Sequence, residues 1–400
     1  MNIDLLFAII FYVLLYLYIR SHKEKFQIQG KIAALYKTQL GLKAMDGIAK
    51  KFPRTLKVLS YLSIISGFAG MAAIFYVLVK GTFTLVAVKG AMPAVAPIIP
   101  GVKIIPGLPV LSFWHWIIAI LVVAIVHEFT HGIFGRLYNT PIKSSGFLIF
   151  GPILGAFVEP DEKYLKKQPK KVQLAVFSGG PFANMVATII LGVLLLFVLN
   201  PLQGQIHTQD GIIVHDVMES YPAASLRDQL PFKIVTLNDA SVPSIESFLA
   251  TMSTITPGQT VSVGTDKGTF SLKTVSNPNN QSAPFLGIAG LEIVTKVKPE
   301  VEQRFGKPLI GLFLWFHLLV FWMVVVNLGV GLFNLLPLGP LDGGRMFLAA
   351  ASALWEEKKA KRVWGFVSYF CLLLIFINLA PFLWKFLLFL LKPLLLFIGV

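Results

Sequence analysis

The sequence predicts a polytopic α-helical membrane protein with a small α+β domain inserted between two of its spans. Three observations carry that prediction. Hydrophobic residues make up 55% of the 400 residues and charged residues only 14%, with a mean hydropathy of +0.73, more apolar surface than a soluble globule buries. Apolar runs long enough to cross a bilayer recur along the chain. From Gln203 to Arg304 the texture changes to short runs alternating at period two, broken by Gly, Pro, Ser, Asn and Asp.

In order, the expected spans are residues 5–19, 58–79, 111–135, 176–199, 309–336, 363–379 and 382–398. The first has no basic residue ahead of it and Arg20, Lys23 and Lys25 behind it, so it reads as a retained anchor rather than a cleaved signal. The net charge of +15 is concentrated in short loops: seven Lys and Arg between 31 and 57, five Lys between 163 and 171, four Lys and Arg between 358 and 362. The positive-inside rule explains that distribution without nucleic acid and places these loops in the cytoplasm. The amino terminus and residues 203–304 then lie outside. The chain divides into an amino-terminal pair of spans with its basic loop (1–110), a first core half (111–202), the insert (203–304), a second core half (305–350) and a carboxy-terminal membrane region (351–400). The single cysteine, Cys371, excludes an intrachain disulfide and any cysteine metal cluster.

Within the insert, residues 211–214, 233–237, 261–264 and 269–274 read as strands and 244–253 as a helix, apolar on the side of Phe248 and Leu249. The order of elements, with Tyr221-Pro222-Ala223-Ala224 and Leu237-Asn238-Asp239, resembles a PDZ domain. No Gly-Leu-Gly-Phe-like carboxylate loop precedes the first strand, and Pro231-Phe232 stands where Gly-Asp is usual. Capture of a peptide end and a steric filter over the membrane site both stay open. Residues 144–159, rich in glycine and apolar side chains but too broken for a spanning helix, read as a membrane-associated hairpin.

The chemistry centres on His127-Glu128-Phe129-Thr130-His131 in the third span. Imidazoles at i and i+4 share one helix face, the geometry for gripping zinc, and the intervening carboxylate is placed to take a proton from water. Ionisable groups at bilayer depth cost about 2.5–3.5 kcal/mol each on insertion scales, so their presence there marks a task. Catalytic zinc takes three protein ligands and keeps one position open. The third ligand expected is Asp342, in Asn334-Leu335-Leu336-Pro337-Leu338-Gly339-Pro340-Leu341-Asp342-Gly343-Gly344-Arg345. Pro337, Gly339 and Pro340 break the fifth span, so Asp342 is expected on irregular backbone, on the same side of the membrane as the histidines. His317, seventeen residues before Asn334, is roughly 25 Å away along a continuous helix and excluded as a ligand.

With these residues in view the sequence resembles the site-2 proteases. His127, Glu128 and His131 match the family's first motif; Asn334, Pro337, Asp342 and Gly343 match its second; Gly179-Gly180-Pro181-Phe182-Ala183-Asn184 is similar to its small-residue packing motif. The resemblance implies an intramembrane zinc metalloprotease: one Zn²⁺ per chain on His127, His131 and Asp342, Glu128 as general base, and regulated cleavage of transmembrane protein substrates within the lipid bilayer. Asn334 then either hydrogen-bonds the substrate or its oxyanion or caps the broken helix, and Asn184 divides between substrate contact and helix packing. Two other readings compete. A membrane-bound zinc peptidase cutting soluble or loop peptides would take its third ligand from Glu356 or Glu357. A metal or solute transporter would show several acidic residues on facing broken helices.

Overall fold

From the amino end, α1 (Ile3–Ser21) leads through β1 (Phe26–Gln29) and β2 (Ala33–Thr38) to α2 (Leu42–Lys51), α3 (Pro53–Ala87) and α4 (Phe113–Leu137). A hairpin of β3 (Ile142–Phe150) and β4 (Ile153–Pro160) and the short α5 (Glu162–Lys167) precede α6 (Lys170–Leu194), which continues through a π-helical stretch, Leu195–Leu199, into α7 (Asn200–Ile206). The structure, a computed structural model, describes residues 3–29, 33–88, 91–102, 108–151, 153–278 and 280–398. It divides into two units: Leu196–Trp315, and Met1–Leu195 with Phe316–Val400.

The first-named unit is the insert. Its sheet runs β12-β5-β6-β8-β9, from β5 (His207–Val217), β6 (Phe232–Leu237), β8 (Thr260–Thr265), β9 (Gly268–Lys273) and β12 (Ile288–Val297), with β7 (Ala240–Ser241) beside β6. β10 (Val275–Asn277) and β11 (Asn280–Phe285) form a separate ribbon. Alternation places Ile212 with Val214 and Val261 with Val263 on one buried face, a register shift in β6 brings both Ile234 and Leu237 to it, and Phe248 and Met252 of α8 (Ile245–Ser253) cover them. Ser244 and Ser247 cap α8 reciprocally, and Asn238 and Asp239, both at positive φ, make the tight β6–β7 turn. The four strands and helix expected here are present, and β12, unforeseen, pairs with β5 along its length.

The larger unit is helical. It is completed by the end of α9 (Pro299–Asn334), by α10 (Asp342–Leu354) and by α11 (Glu357–Ile398). Among the described residues six helices are long and apolar enough to cross a membrane. Two expectations are corrected. The separate sixth and seventh spans form one helix, because Pro381 removes a single hydrogen bond without breaking α11. Asp342 is not on irregular backbone: the irregular stretch ends at Leu341, and Asp342 opens α10, where a carboxylate suits the positive helix end. Gly343 and Gly344 permit that turn, since a Cβ on either would lie within 2.1 or 2.5 Å of the Leu335 or Leu338 carbonyl.

Close packing of the helices rests on small and hydroxyl residues. Ser63 of α3 and Ser178 of α6 share a 2.8 Å hydrogen bond, Ser60 bonds Tyr138 at 2.7 Å, and Asn378 of α11 donates to Thr82 of α3 at 2.6 Å. The expected hairpin is β3–β4, and β1–β2 extends it into a four-stranded antiparallel sheet, β1-β2-β3-β4. β4 is therefore an edge strand, and it packs beside α4.

Candidate active site

A cavity of about 540 Å³ lies among α4, β4, α6, the end of α9 and the start of α10. His127, Glu128 and His131 project into it from α4, Asn334 from α9, and Asp342 and Arg345 from α10. Their convergence is close. Nε2 of His127 is 2.9 Å from Oδ2 of Asp342, and Nε2 of His131 is 3.3 Å from the same oxygen. The ligand atoms offered by His127, Glu128 and His131 lie within 4.8 Å of one another, spacing suited to a metal ion.

The backbone and neighbouring side chains orient this set. Nδ1 of His131 donates to the Val176 carbonyl at 2.6 Å, which leaves Nε2 as the bare nitrogen. Pro181 has no N–H to give the Phe177 carbonyl, so α6 is loosened where this contact is made. Asn184, fully buried, brings its carboxamide nitrogen to 3.1 Å from Nδ1 of His127, while its Oδ1 is buried without a hydrogen-bond partner. With the carboxamide turned over, Oδ1 accepts from Nδ1–H, and Nε2 of His127 is bare as well.

Gly180 completes the fit. A Cβ there would lie 2.4 Å from Nε2 of His131 and 2.5 Å from Nε2 of His127, so any other residue would fill the space in front of both ligand atoms. The donor set is two imidazole nitrogens and a carboxylate oxygen, buried, with a glycine opposite; it fits a zinc-type cation with an open position. Glu128 stands beside it, its Oε2 accepting from the Val158 N–H of β4 at 3.2 Å.

His127, Glu128, His131, Asp342 and Asn334 thus share one cavity. Asn184 contacts a histidine ring from behind and is not among the lining residues. Glu159 instead pairs with Lys37 at 2.8 Å and with Ser144 at 2.7 Å, contacts that hold its carboxyl below the usual range, and Asp161 caps α5. Neither Glu356 nor Glu357, the rival third ligands, lines this cavity, and Glu357 pairs with Lys361 at 2.5 Å. His215 bonds Glu292 on the insert at 2.6 Å. Sequence reading missed Arg345, three residues beyond Asp342 and so near its helix face, and the contributions of Val158 and Val176, which are backbone atoms and leave no side-chain signal.

Comparison with known proteins finds Peptidase family M50 matching residues 115–378. An uncharacterized protein of Methanocaldococcus jannaschii is 30% identical over 373 residues, covering 90% of this chain and 89% of its own. Among solved structures, the PDZ domain of an SdrC-like protein from Listeria innocua matches at 23% identity and TM-score 0.18, covering 20% of this chain and 92% of that one. The corresponding domain from Listeria monocytogenes matches at 23% identity and TM-score 0.18, covering 22% and 90%. With its paired histidines, glutamate and aspartate inside the matched range, the chain belongs to peptidase family M50, the site-2 protease family.

Proposed function

We propose that this protein is an intramembrane zinc endopeptidase that hydrolyses peptide bonds within the transmembrane segments of other proteins. The observation that carries the reading is the approach of two histidine Nε2 atoms to one Asp342 oxygen, at 2.9 and 3.3 Å, inside a cavity walled by apolar helices and opposite Gly180. His127, His131 and Asp342 would hold the ion. Zinc bound there would supply Lewis acidity, lowering the pKa of water and polarising the scissile carbonyl. Glu128 takes the proton from the attacking water and returns it to the leaving nitrogen. Its bond to Val158 N–H aims the carboxylate before substrate arrives.

A transmembrane helix hides its carbonyls in its own hydrogen bonds, so a substrate must unwind before attack. The free edge of β4 offers the unwound segment backbone partners beside the metal ligands, in the manner of strand addition. Asn334, on the cavity wall at the end of α9, is placed to hydrogen-bond substrate backbone or the oxyanion. The basic residues beside the starts of α3, α6 and α11 orient this end of the helices toward the cytoplasm and the insert away from it, where it screens substrates by size.

Purified protein is expected to carry about one zinc per chain. Glu128→Gln should keep the zinc and lose cleavage of a membrane-embedded reporter by about 10²–10⁴-fold. Near-normal cleavage by that variant would overturn the assignment of the base, and absence of zinc from the purified wild type would overturn the metal.

A further inference from the structure

A second cavity, of about 180 Å³, lies between α2, α4 and the β3–β4 hairpin. Its walls include Leu40, Met45, Phe129, Phe147 and Ala156, and it meets the larger cavity at Glu128, Phe157 and Val158, which line both. Its size is that of one side chain: apolar cavities of about 150 Å³ stay dry and hold a benzene-sized group. Leu40 and Met45 precede the part of the chain that matches the family. They are brought here because β2 joins the hairpin sheet and α2 packs on α4, with Met45 against Gly132 so closely that a Cβ there would lie 2.4 Å from its sulfur.

The carboxylate at the junction decides what this cavity receives. On the proteolytic reading above, on which this inference rests, Glu128 must reach the nitrogen that leaves. The residue carrying that nitrogen is the one after the scissile bond, so its side chain is the substrate group nearest a pocket that opens at Glu128. A lipid acyl chain is the other apolar group at hand, but where this pocket meets the larger cavity stand a carboxylate and strand β4, which suit a peptide. We infer that the cavity is a specificity pocket for a leucine- or phenylalanine-sized side chain immediately after the cleaved bond, and that the segment 40–45 sets its size.

The test uses the full-length protein in liposomes and one single-span substrate whose cut has been mapped, varied only at the residue after the cut to Ala, Leu, Phe or Asp. Wild type is expected to cut the Leu and Phe substrates at least tenfold faster, in kcat/KM, than the Asp substrate. Ala156→Leu, which narrows the cavity, should lower the Phe-to-Ala rate ratio about tenfold or more. Phe129→Ala, which widens it, should raise that ratio, and decides the matter where the Ala156 variant fails to insert or bind zinc. An unchanged ratio in variants that retain zinc and still cut would overturn the pocket, as would co-purification of an acyl chain displaced by Ala156→Leu with no change in selectivity. If wild type binds zinc yet cuts no member of the series, the proteolytic reading itself falls, a result separate from an unchanged ratio.

Discussion

The helical unit and the insert bury polar groups in opposite ways. The insert has a core of apolar side chains and keeps its ions outside: Asp210 pairs with Lys233 at 2.8 Å and Lys296 at 2.7 Å on the surface. The helical unit is apolar on its flanks, with Ile189, Ile190 and Val193 among many exposed hydrophobics, and gathers His127, His131, Asn184, Ser63 and Ser178 inside. Each of these is held by another polar group or a carbonyl. In lipid a polar group finds no solvent partner, so interior polarity marks either a helix contact or the chemistry. On the insert a charge reports only solvation.

That contrast orders the expected effects of mutation. The largest belong to the ligands: His127→Ala with His131→Ala should abolish metal binding in equilibrium dialysis, and full retention of zinc would end the metal assignment. Gly180→Val is expected to lower metal affinity at least about 100-fold by occupying the ligand space, while Gly192→Ala, on the same run of helix with nothing within 4 Å, should leave it unaltered. Asn184→Ala removes the support behind His127 and should weaken zinc about 10–100-fold, with Asn184→Asp restoring part of the loss through an acceptor oxygen. Equal loss in both Asn184 variants would point to packing alone.

Legibility in the sequence follows the same division. The spaced histidines, Glu128 and Asp342 are readable because ionisable side chains stand out against an apolar background, and the alternation of 211–214 or 261–264 is readable because one sheet face is dry. β1 and β2 were hidden in a basic loop: their strand character comes from pairing with a hairpin more than a hundred residues away, Tyr36 opposite Phe147. Irregular backbone is the expectation at Asp342 because Pro337, Gly339 and Pro340 dominate the local pattern, yet two glycines let α10 begin at Asp342 itself. The role of Gly180 is invisible without the histidines that face it.

Changes to the insert should be smaller. Deleting residues 211–274 with a short linker is expected to keep zinc and some cleavage of a short-tailed substrate while relaxing selection against bulky outer domains; a deletion protein that inserts but binds no zinc would make the insert part of the catalytic scaffold. The smallest effect concerns Asp210, whose carboxyl is held down to about 2 from its ordinary 3.8 by hydrogen bonds from Lys233 and then Lys296. Its folded value lies below its unfolded one, so its contribution is complete above about pH 4 and is lost as pH falls toward 2. Hydrogen exchange of β5 and β6 should therefore differ slightly between wild type and Asp210→Asn at pH 6 and converge near pH 2. A difference that grows on acidification would contradict this.

The most direct test is where the cut falls. His127 lies 14 residues beyond Phe113 at the start of α4, roughly 21 Å of helical rise, so attack is expected deep within the bilayer toward the cytoplasmic end of the substrate's span. Mass spectrometry of products from a single-span substrate in liposomes, cut by wild type and by Glu128→Gln, measures this. The expected result is one bond inside the hydrocarbon segment, slowed when Gly, Pro or Asn near it is replaced by Leu, a change of about 1 kcal/mol in helix propensity for Gly, and absent with Glu128→Gln. A cut in a loop outside the membrane, indifferent to those replacements, would contradict intramembrane hydrolysis and leave a peptidase of exposed segments.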